Sequence, residues 1–449
     1  MVKEEIIAAV KNHPSNKIKF AIVDIDGVLR GKYIHKDKFF DGLDSHFGFC
    51  DVVYGWDSAD KLYDQSSVTG WETGFPDGQA RVDLSTFRKV PWDRDVPFFL
   101  ADYAAGEPSR GVCPRSLLRE ISQKAESMGY HAQFAMEYEW FNFKKNTEPL
   151  DDRNHQNPIP IFDEMFGYSL IRLAQGSNYF NDIFDQCEVY DVTLEGLHTE
   201  TGPGVFEAAI QKDSILRAAD KGVLFKTAIK EIAHPYDIVP SFMAKWNPDL
   251  PGCSGHMHQS LLDDKGKNLF YNPKGEHHMS ELMEHYLAGQ LHCMPQLMPF
   301  FAPTVNSYKR LVEGAWAPTT VTWGIDNRTT ALRVINGKES AMRIEHRVPG
   351  ADVNPYLCMA AGLASGLYGI ENKLKLPAVT KGNAYENKRV KKLPSNLYDA
   401  TQNMKRSKLA KELMGAEFVK HFAMTREHEW NEYIKTVSDW ELKRYFEII

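Results

Sequence analysis

Cysteine is scarce in this sequence, and its few copies are widely scattered. There are six cysteines in 449 residues, and no two of them form a Cys-X-X-Cys pair. A disulfide-stabilised domain or a cysteine-based zinc site needs closely and regularly spaced cysteines. The sequence therefore argues against both, and we expect reduced thiols in a cytoplasmic protein.

Long apolar runs and an excess of one charge are also missing. No stretch reaches about 18 uninterrupted apolar residues, the length that a membrane-spanning helix needs. The sequence has 53 basic and 60 acidic residues, a net charge of −7. A protein that binds nucleic acid through its phosphates needs a basic excess. We therefore expect no membrane span and no nucleic-acid partner, and the first segment, MVKEEIIAAVKNHP, predicts a short amphipathic helix and not a secretory signal.

The length of the chain is enough for two or three domains at roughly 150 residues each. Residues 17–28 and 96–102 predict apolar strands, whereas residues 104–114 are rich in small residues, glycine and proline. Such a segment is typical of a domain boundary. We predict an N-terminal domain of residues 1–106 and a larger domain of residues 107–449.

Charged side chains two residues apart recur in the larger domain. Residues 130–143 predict a strand from their aromatic content and alternation, and residues i and i+2 of a strand point to the same side. Glu137 and Glu139 therefore share a face, where two buried carboxylates repel each other unless a proton or a cation is present. The same spacing relates His256 to His258 and joins Arg343, Glu345 and Arg347, while Glu200 and Glu207 flank a loop of glycine and proline.

Each of these groups alone has an ordinary structural interpretation, as an exposed pair, a satisfied histidine or a row of ion pairs. Together they indicate a divalent-metal and phosphate site. Carboxylate oxygens suit Mg²⁺ or Mn²⁺, and arginine binds phosphate oxygens through paired hydrogen bonds. Arg310, Arg328 and Arg333 follow in a segment rich in tryptophan and threonine. Their spacing does not decide between scattered surface arginines and anion clamps near the same site.

The segment FAIVDIDGVL offers an alternative function. An apolar strand followed by Asp-X-Asp-Gly is similar to the nucleophile motif of haloacid-dehalogenase-type phosphatases, with Asp24 as nucleophile and Asp26 as acid/base. It also predicts a strand that ends in an Asp-Gly turn. The phosphatase needs a helix after this turn, whereas residues 30–39 predict the return strand of a hairpin.

Five motifs resemble, in sequence and in order, those of the glutamine synthetase family. They are AMEYEWF, HTETGPGVFE, GCSGHMHQSL, the pair NSYKRLVEG and NRTTALRV, and RIEHRVPGADVNPYL, which together span residues 135–357. Nearer the N-terminus, DQSSVTGW and VDLSTFRKVPW resemble two more segments of the family. Because separate motifs agree over most of the chain, the sequence is identified as a member of this family.

The resemblance implies an α+β fold, with a small β-grasp-like N-terminal domain and a large catalytic α/β domain whose antiparallel strands form a metal-lined funnel. It implies a ligase that uses ATP to activate the γ-carboxylate of glutamate as an acyl phosphate, which an amine or ammonia then displaces. It further implies two to three Mg²⁺ or Mn²⁺ ions in each site. The assembly implied is a homo-oligomer, a dodecamer of two hexameric rings.

The resemblance also implies a role for each matching residue. The ligands of one metal would be Glu137, His256 and Glu345, and those of the other Glu139, Glu200 and Glu207. The ATP phosphates and the transferring phosphoryl group would meet His258, Arg333, Arg343 and the catalytic Arg328. Glutamate would bind to Arg310, Arg347 and the backbone of Gly252. Asp64 aligns with the catalytic aspartate that polarises ammonium, although Asp57 competes for that role because the surrounding loop diverges.

Two departures from the family pattern bear on the amine. Trp316 stands where most members have a glutamate that closes the site and helps to receive the ammonium proton. Pro251 stands where the family usually has asparagine. An indole cannot accept a proton, but its face can hold a cation. These changes resemble the branch of the family that makes γ-glutamyl amides from larger amines.

We therefore expect an amine ligase whose pocket includes Trp316 and Asp57. The alternative is an ordinary glutamine synthetase that uses ammonia, in which Glu313 replaces the missing catalytic acid. A non-catalytic structural relative is a further alternative. The presence of all six metal-ligand residues argues against it.

Overall fold

The structure of the protein is a computed structural model that describes residues 2–43, 45–63, 66, 68–145, 158–387 and 389–449. Its strands are β1 Lys17–Val23, β2 Leu29–His35, β3 Phe47–Cys50, β4 Asp77–Val90, β5 Val96–Tyr103, β6 His131–Lys144, β7 Leu194–Thr199, β8 Val205–Ile210, β9 Asp213–Ser214, β10 Ile238–Ser241, β11 Gly255–Leu262, β12 Trp323–Ile325, β13 Leu332–Ile335 and β14 Arg343–His346. Its helices are α1 Lys3–Asn12, α2 Lys36–Gly42, α3 Pro114–Ser127, α4 Leu170–Gln175, α5 Ser177–Val189, α6 Ile215–Ala233, α7 Glu281–Phe301, α8 Ser307–Arg310, α9 Pro355–Glu371, α10 Leu397–Arg406, α11 Lys408–Met414, α12 Ala416–Ile434 and α13 Asp439–Tyr445.

The N-terminal strands form a mixed sheet in the order β2-β1-β5-β4-β3. β1 and β5 are parallel, and the other neighbouring strands are antiparallel. Aromatic side chains fill the space between the sheet and α2, where Phe39 stacks on Phe99 with ring centroids 5.1 Å apart. This arrangement agrees with the β-grasp-like fold expected for the N-terminal part, while the domain limits at residues 106 and 107 stay a prediction.

β1 and β2 form the expected hairpin, paired from Lys17 with His35 to Val23 with Leu29. Gly27 lies in the turn with a φ of +81°, a conformation that glycine adopts without strain. The helix that the phosphatase alternative needs is therefore replaced by a strand. β2 ends at His35 and not at residue 39 as predicted, because the His35 side chain caps α2 by accepting a hydrogen bond from the Asp37 amide.

The second sheet carries the polar groups and has the order β12-β13-β14-β11-β6-β8-β7, with β9 and β10 also paired to β6. All of its pairs are antiparallel except β12 with β13. Along β6, Met136, Tyr138 and Trp140 are fully buried, whereas Glu137 and Glu139 between them are only half-buried. The predicted alternation is therefore confirmed, and it directs one face of β6 to the core and the other to the polar side.

Helices cover the apolar face of this sheet. α9 is buried along almost its whole length and packs against α7, where Gly289 and Gly369 let the two backbones approach closely. Its glycines and alanines therefore belong to a close-packed core helix. None of the helices in the described part of the chain is long and apolar enough to cross a membrane.

A buried arginine joins the first sheet to the helices α3 and α6. Arg115 of α3 is bidentate to Asp220 of α6, with distances of 2.8 and 2.9 Å, and also donates to Asp102 and Asp83 of the first sheet. Breaking such a buried network leaves uncompensated charges, which typically costs about 3–5 kcal/mol. The network therefore fixes the first sheet against α3 and α6.

Candidate active site

A cavity of about 700 Å³ opens over the polar face of the second sheet. Most of the residues that the sequence predicts for the site line it: Glu137, Glu139, Glu200, Glu207, Gly252, His256, His258, Arg310, Trp316, Arg328, Arg333, Arg343, Glu345 and Arg347. They come from β6, β8, β11, β13, β14 and α8 and from the loops around them. Motifs that are up to two hundred residues apart in sequence thus meet at one site.

The register of the sheet explains how they meet. Directly opposed residues of neighbouring strands lie about 4.5–5.5 Å apart at their Cβ atoms. The opposed pairs at the cavity floor are Glu137 with His256, Glu139 with Glu207, His258 with Glu345, and Arg333 with Glu345. The period-two spacing within strands and the pairing between strands therefore produce one continuous row of charged groups.

Glu137, His258 and Glu345 form the first cluster of possible metal ligands, with ligand atoms that all lie within 4.8 Å of one another. His256 Nδ1 lies 3.1 Å from Glu137 Oε1 and 3.3 Å from Glu345 Oε1. Burial alone would raise the pKa of the Glu345 carboxyl, but the charges of His256, Arg347 and His258 lower it to about 2. Glu345 is therefore ionised at neutral pH and suits a cation.

Glu139, Glu200 and Glu207, the predicted ligands of the second metal, line the same cavity, and Glu139 lies opposite Glu207 in the sheet. Glu139 accepts hydrogen bonds from the amide of Ser254, at 2.9 Å, and from its hydroxyl. Burial, together with the charges of Glu137 and Glu139, raises the pKa of Glu207 above its usual range, although the neighbouring His198 opposes this. The repulsion among these carboxylates is what a divalent cation would relieve.

Both clusters fit divalent cations. Oxygen-rich ligand sets with one imidazole suit Mg²⁺ or Mn²⁺. Glu200 Oε2 is buried and has no hydrogen-bond partner among the described residues. An unpaired buried carboxylate oxygen is costly unless a cation satisfies it. The chemistry of the ligand atoms and this unpaired oxygen therefore both favour a bound divalent cation.

The arginines around the cavity fall into two groups. Arg333 and Arg347 are engaged, because each donates to Glu345, Arg333 over 2.7 Å. Arg343 donates through Nε to His258 Nδ1 over 3.2 Å. Arg328 is exposed, and its guanidinium makes no hydrogen bond or ion pair with any residue that the structure describes. Arg328 is therefore available to an anion.

Trp316 lies at the rim of the cavity. It is 60% exposed, its φ of +57° is uncommon for a residue other than glycine, and its carbonyl accepts a hydrogen bond from Arg347 Nη2 over 3.3 Å. A second cavity of about 410 Å³, lined by Asp326, Asn327 and Thr329 among others, shares Trp316 and Arg328 with the first. The indole therefore stands between two open spaces.

Two predicted residues of the described part of the chain, Glu313 and Asp57, do not line the cavity. Glu313 is exposed and faces Lys392, with 3.7 Å between Oε1 and Nζ. The Asp57 carboxylate accepts hydrogen bonds from the amides of Ala59 and Lys61 and lies 3.2 Å from His428 Nε2. Both carboxylates are thus turned to partners outside this cavity. Asp64 lies outside the described residues.

Three further residues line the cavity without having been predicted from the sequence, Ser254, His198 and Tyr168. Ser254 and His198 each stand two residues before a predicted ligand, so the same period-two rule could have found them. Tyr168 is 71% exposed and stacks on His198 with ring centroids 4.3 Å apart. No local pattern predicts Tyr168. Its position depends on the hydrogen bond that its amide donates to the Thr199 carbonyl.

Comparison with known proteins gives a consistent result. Residues 111–445 match the family model "Glutamine synthetase, catalytic domain". The chain is 49% identical to type-1 glutamine synthetase 2 of Dictyostelium discoideum, over 99% of this chain and 86% of that protein. It is 36% identical to glutamate–isopropylamine ligase of a Pseudomonas species, over 98% of this chain and 97% of that protein. A solved structure of a GmaS/ADP complex superposes with a TM-score of 0.85 at 26% identity, covering 98% of this chain and 99% of the other.

Proposed function

Because this chain belongs to the glutamine synthetase family, we propose that it joins an organic amine to the γ-carboxylate of glutamate through a γ-glutamyl phosphate. The family makes it a ligase that forms a carbon–nitrogen bond, and divalent metals and ATP are general requirements of the family. The proposal adds the substrate, the roles of the residues and the assembly.

Trp316 is the residue that favours an organic amine over ammonia as the substrate. An ammonium site benefits from a carboxylate that desolvates the ion and takes its proton. Here the cavity rim presents an exposed indole, and Glu313 faces Lys392 instead. An indole face can pack on an alkyl group or hold an ammonium group. The open space beyond Trp316 gives the substituent of such an amine room.

The metals would be held by Glu137, His256 and Glu345 on one side and by Glu139, Glu200 and Glu207 on the other. When bound, they would neutralise the charge of the ATP phosphates and of the transferring phosphoryl group. Ser254 supports this arrangement because its amide and hydroxyl fix the Glu139 carboxylate. The metal ligands are thus oriented by the backbone that precedes β11.

Phosphate binding is assigned to His258, Arg328, Arg333 and Arg343. A third cavity of about 660 Å³, lined by Gln133, Ser260, Asn268 and Lys338 among others, shares Arg343 with the first. ATP can therefore extend from one cavity to the other, with its nucleoside in the third cavity and its phosphates at Arg343. This direction would bring the γ-phosphate towards the carboxylate clusters.

Glutamate is assigned to Arg310, Arg347 and the backbone of Gly252. A Cβ at Gly252 would lie 2.7 Å from Arg310 Cγ and 2.3 Å from the Ala244 carbonyl oxygen, so only glycine leaves this wall intact. The γ-carboxylate oxygen attacks the γ-phosphorus, and ADP leaves. The neutral amine nitrogen then attacks the acyl carbon, phosphate leaves, and a base takes the amine proton.

Asp64 remains the assigned base. Asp57 is the weaker choice, because its carboxylate already accepts two amide hydrogen bonds and faces His428.

By resemblance to the family, the loop of Asp64 belongs to the site of a neighbouring subunit. We therefore propose a homo-oligomer, a dodecamer of two hexameric rings. The exposed apolar side chains of the C-terminal segment, Phe446, Ile448 and Ile449 among them, support burial against another chain.

The test is an initial-rate panel with ATP, glutamate and Mg²⁺, in which phosphate release is compared for ammonium, methylamine, ethylamine, isopropylamine and ethanolamine. Each additional buried CH₂ contributes about 0.8 kcal/mol, or about fourfold in kcat/KM. We expect at least one organic amine to exceed ammonium about tenfold in kcat/KM. Efficient glutamine formation at low millimolar ammonium, with no turnover of the other amines, would instead make the chain a glutamine synthetase.

Glutamine synthesis from ammonia is the second candidate, favoured by the 49% identity to a type-1 glutamine synthetase. In that case Glu313 would have to leave Lys392 and enter the cavity. A Glu313→Gln variant distinguishes the two candidates. It should leave amine-dependent turnover unchanged if the proposal is correct, and it should abolish ammonia-dependent turnover if Glu313 is the base.

A further inference from the structure

Arg310 is held at its guanidinium by a single loop. It is buried, and its Nη2 donates to the carbonyl oxygens of Arg347, Val348 and Pro349, at 3.2, 2.6 and 2.8 Å. One nitrogen is thus committed to three acceptors of the chain itself. Nη1 makes no hydrogen bond with the described residues, and Arg310 lines the cavity. The loop after β14 therefore presents the other end of the guanidinium to the substrate.

The same loop also holds the start of the helix that carries Arg310. Asp352 Oδ2 accepts hydrogen bonds from the hydroxyls of Thr304, at 2.8 Å, and Ser307, at 2.5 Å. Ser307 is the first residue of α8, and Arg310 is the last. The Ser307 amide in turn donates to Thr304 Oγ1 over 3.0 Å. α8 is thus anchored to the loop at its first residue by Asp352 and at its last by the three carbonyls.

The second carboxylate oxygen of Asp352 faces Arg310. Oδ1 of Asp352 and Nε of Arg310 are both buried without a hydrogen-bond partner among the described residues. A Cβ at Gly350 would lie 2.4 Å from that oxygen and 3.6 Å from that nitrogen. The two orphaned atoms therefore border the same small space, an acceptor and a donor of opposite charge.

Arg310 needs a counter-charge at this depth. Burial and the neighbouring Arg347 lower the pKa of Arg310, while the charges of Glu139 and Asp352 act in the opposite direction. Glu139 belongs to the proposed metal ligands, so its charge is shared with a cation. Asp352 contacts no part of the cavity and is left as the carboxylate that balances Arg310.

We propose that Asp352 is a positioning residue for Arg310, and through it for the carboxylate of the substrate that Arg310 binds. This inference rests on the proposed function, since it takes Arg310 as a glutamate-binding residue. It assigns Asp352 two tasks, anchoring α8 through one oxygen and balancing the buried guanidinium through the other. Neither task involves ATP.

The test is a steady-state comparison of Asp352→Asn with the native enzyme, varying glutamate and ATP separately. The asparagine keeps an oxygen for the hydroxyls of Thr304 and Ser307 but removes the charge. We expect the KM for glutamate to rise about tenfold, equivalent to about 1.4 kcal/mol, with the KM for ATP within twofold and the melting temperature little changed. Asp182→Asn, which alters a carboxylate that accepts the Tyr236 hydroxyl away from the cavity, should change neither KM.

A glutamate KM that stays at the native value in folded Asp352→Asn would overturn the inference, as would an equal rise in both KM values, which a purely structural role predicts. If Asp352→Asn does not fold, Ser307→Ala separates the anchoring task and must raise the glutamate KM selectively. Failure of the proposed function is a different result, because the native enzyme itself would then show no glutamate-dependent phosphate release with any amine.

Discussion

Glu345 balances the cationic side chains at the floor of the cavity. It is 1% exposed, accepts hydrogen bonds from Arg333 and Arg347 and lies beside His256. Its neighbours keep it ionised far below neutral pH. A residue in this position holds Arg333, proposed to bind phosphate, and Arg347, proposed to bind glutamate, beside the proposed metal ligands.

Glu345→Gln should therefore reduce ATP turnover by about 100-fold or more, the range seen when a preorganised electrostatic contact is lost. The neutral amide neither attracts a divalent cation nor balances two guanidinium groups. Phosphate release measures the loss of turnover, and calorimetric titration with Mn²⁺ measures the loss of cation binding. The control is Glu195→Gln, an exposed glutamate of β7 on the same sheet. A Glu345→Gln enzyme with native turnover would refute the role of Glu345.

His421 gives α12 a pH-sensitive position in the core. Its side chain is 1% exposed, and neither ring nitrogen has a hydrogen-bond partner among the described residues. Burial, assisted by the charge of Arg426, lowers the pKa of His421 to about 4 from 6.5. The unfolded chain therefore binds this proton more tightly than the folded chain does. The stability that neutral His421 contributes is fully present above pH 6.5 and is lost as the pH falls towards 4.

This single histidine should contribute about 2 kcal/mol to the loss of stability between pH 7.5 and pH 5. His421→Leu cannot be protonated and should reduce that loss by the same amount. The measurement is the melting temperature of both proteins at the two pH values. His131→Gln, at an exposed position, should keep the native pH dependence. Equal pH dependence of the native and His421→Leu proteins would contradict the assignment.

The regular elements could be predicted from the sequence to different extents. β6 and α3 follow from local patterns, the alternation of aromatic and charged residues in one and a proline start with a glycine stop in the other. Period two also places Glu137 and Glu139 on one face without knowledge of the fold. The pairing of β6 with β11 and β8 could not be predicted, because register depends on distant parts of the chain.

The loops at the cavity rim could not be predicted. Glu313 was a candidate for the missing acid, but its direction is set by Lys392, which a β-bridge with Thr320 brings close. The left-handed backbone of Trp316 has no local signature either. Tertiary contacts decide both positions, and spacing along the chain carries no information about them.

At the scale of the whole molecule, the proposed assembly predicts active sites that two chains share. The cavity of one chain holds Arg347, while Asp64 is assigned to the site of a neighbour. Chains with Arg347→Ala and chains with Asp64→Ala should both be inactive alone. After verified subunit exchange of an equal mixture, hybrid sites should restore about one quarter of the native activity, as expected for random pairing across a symmetric interface. No recovery would show that each chain supplies its own complete site.

The central claim, that the cavity accepts an organic amine in preference to ammonia because of Trp316, is tested most directly by competition. Ammonium and isopropylamine are supplied together at equal concentration with ATP, glutamate and Mg²⁺, and mass spectrometry gives the ratio of γ-glutamylamide to glutamine. The native enzyme should form mainly the amide, and Trp316→Glu should shift the ratio towards glutamine by about tenfold or more, the equivalent of about 1.4 kcal/mol. Val312→Glu, which adds the same charge to the same loop outside the cavity, should leave the ratio unchanged. Mainly glutamine from the native enzyme, with the same ratio from Trp316→Glu, would contradict the account.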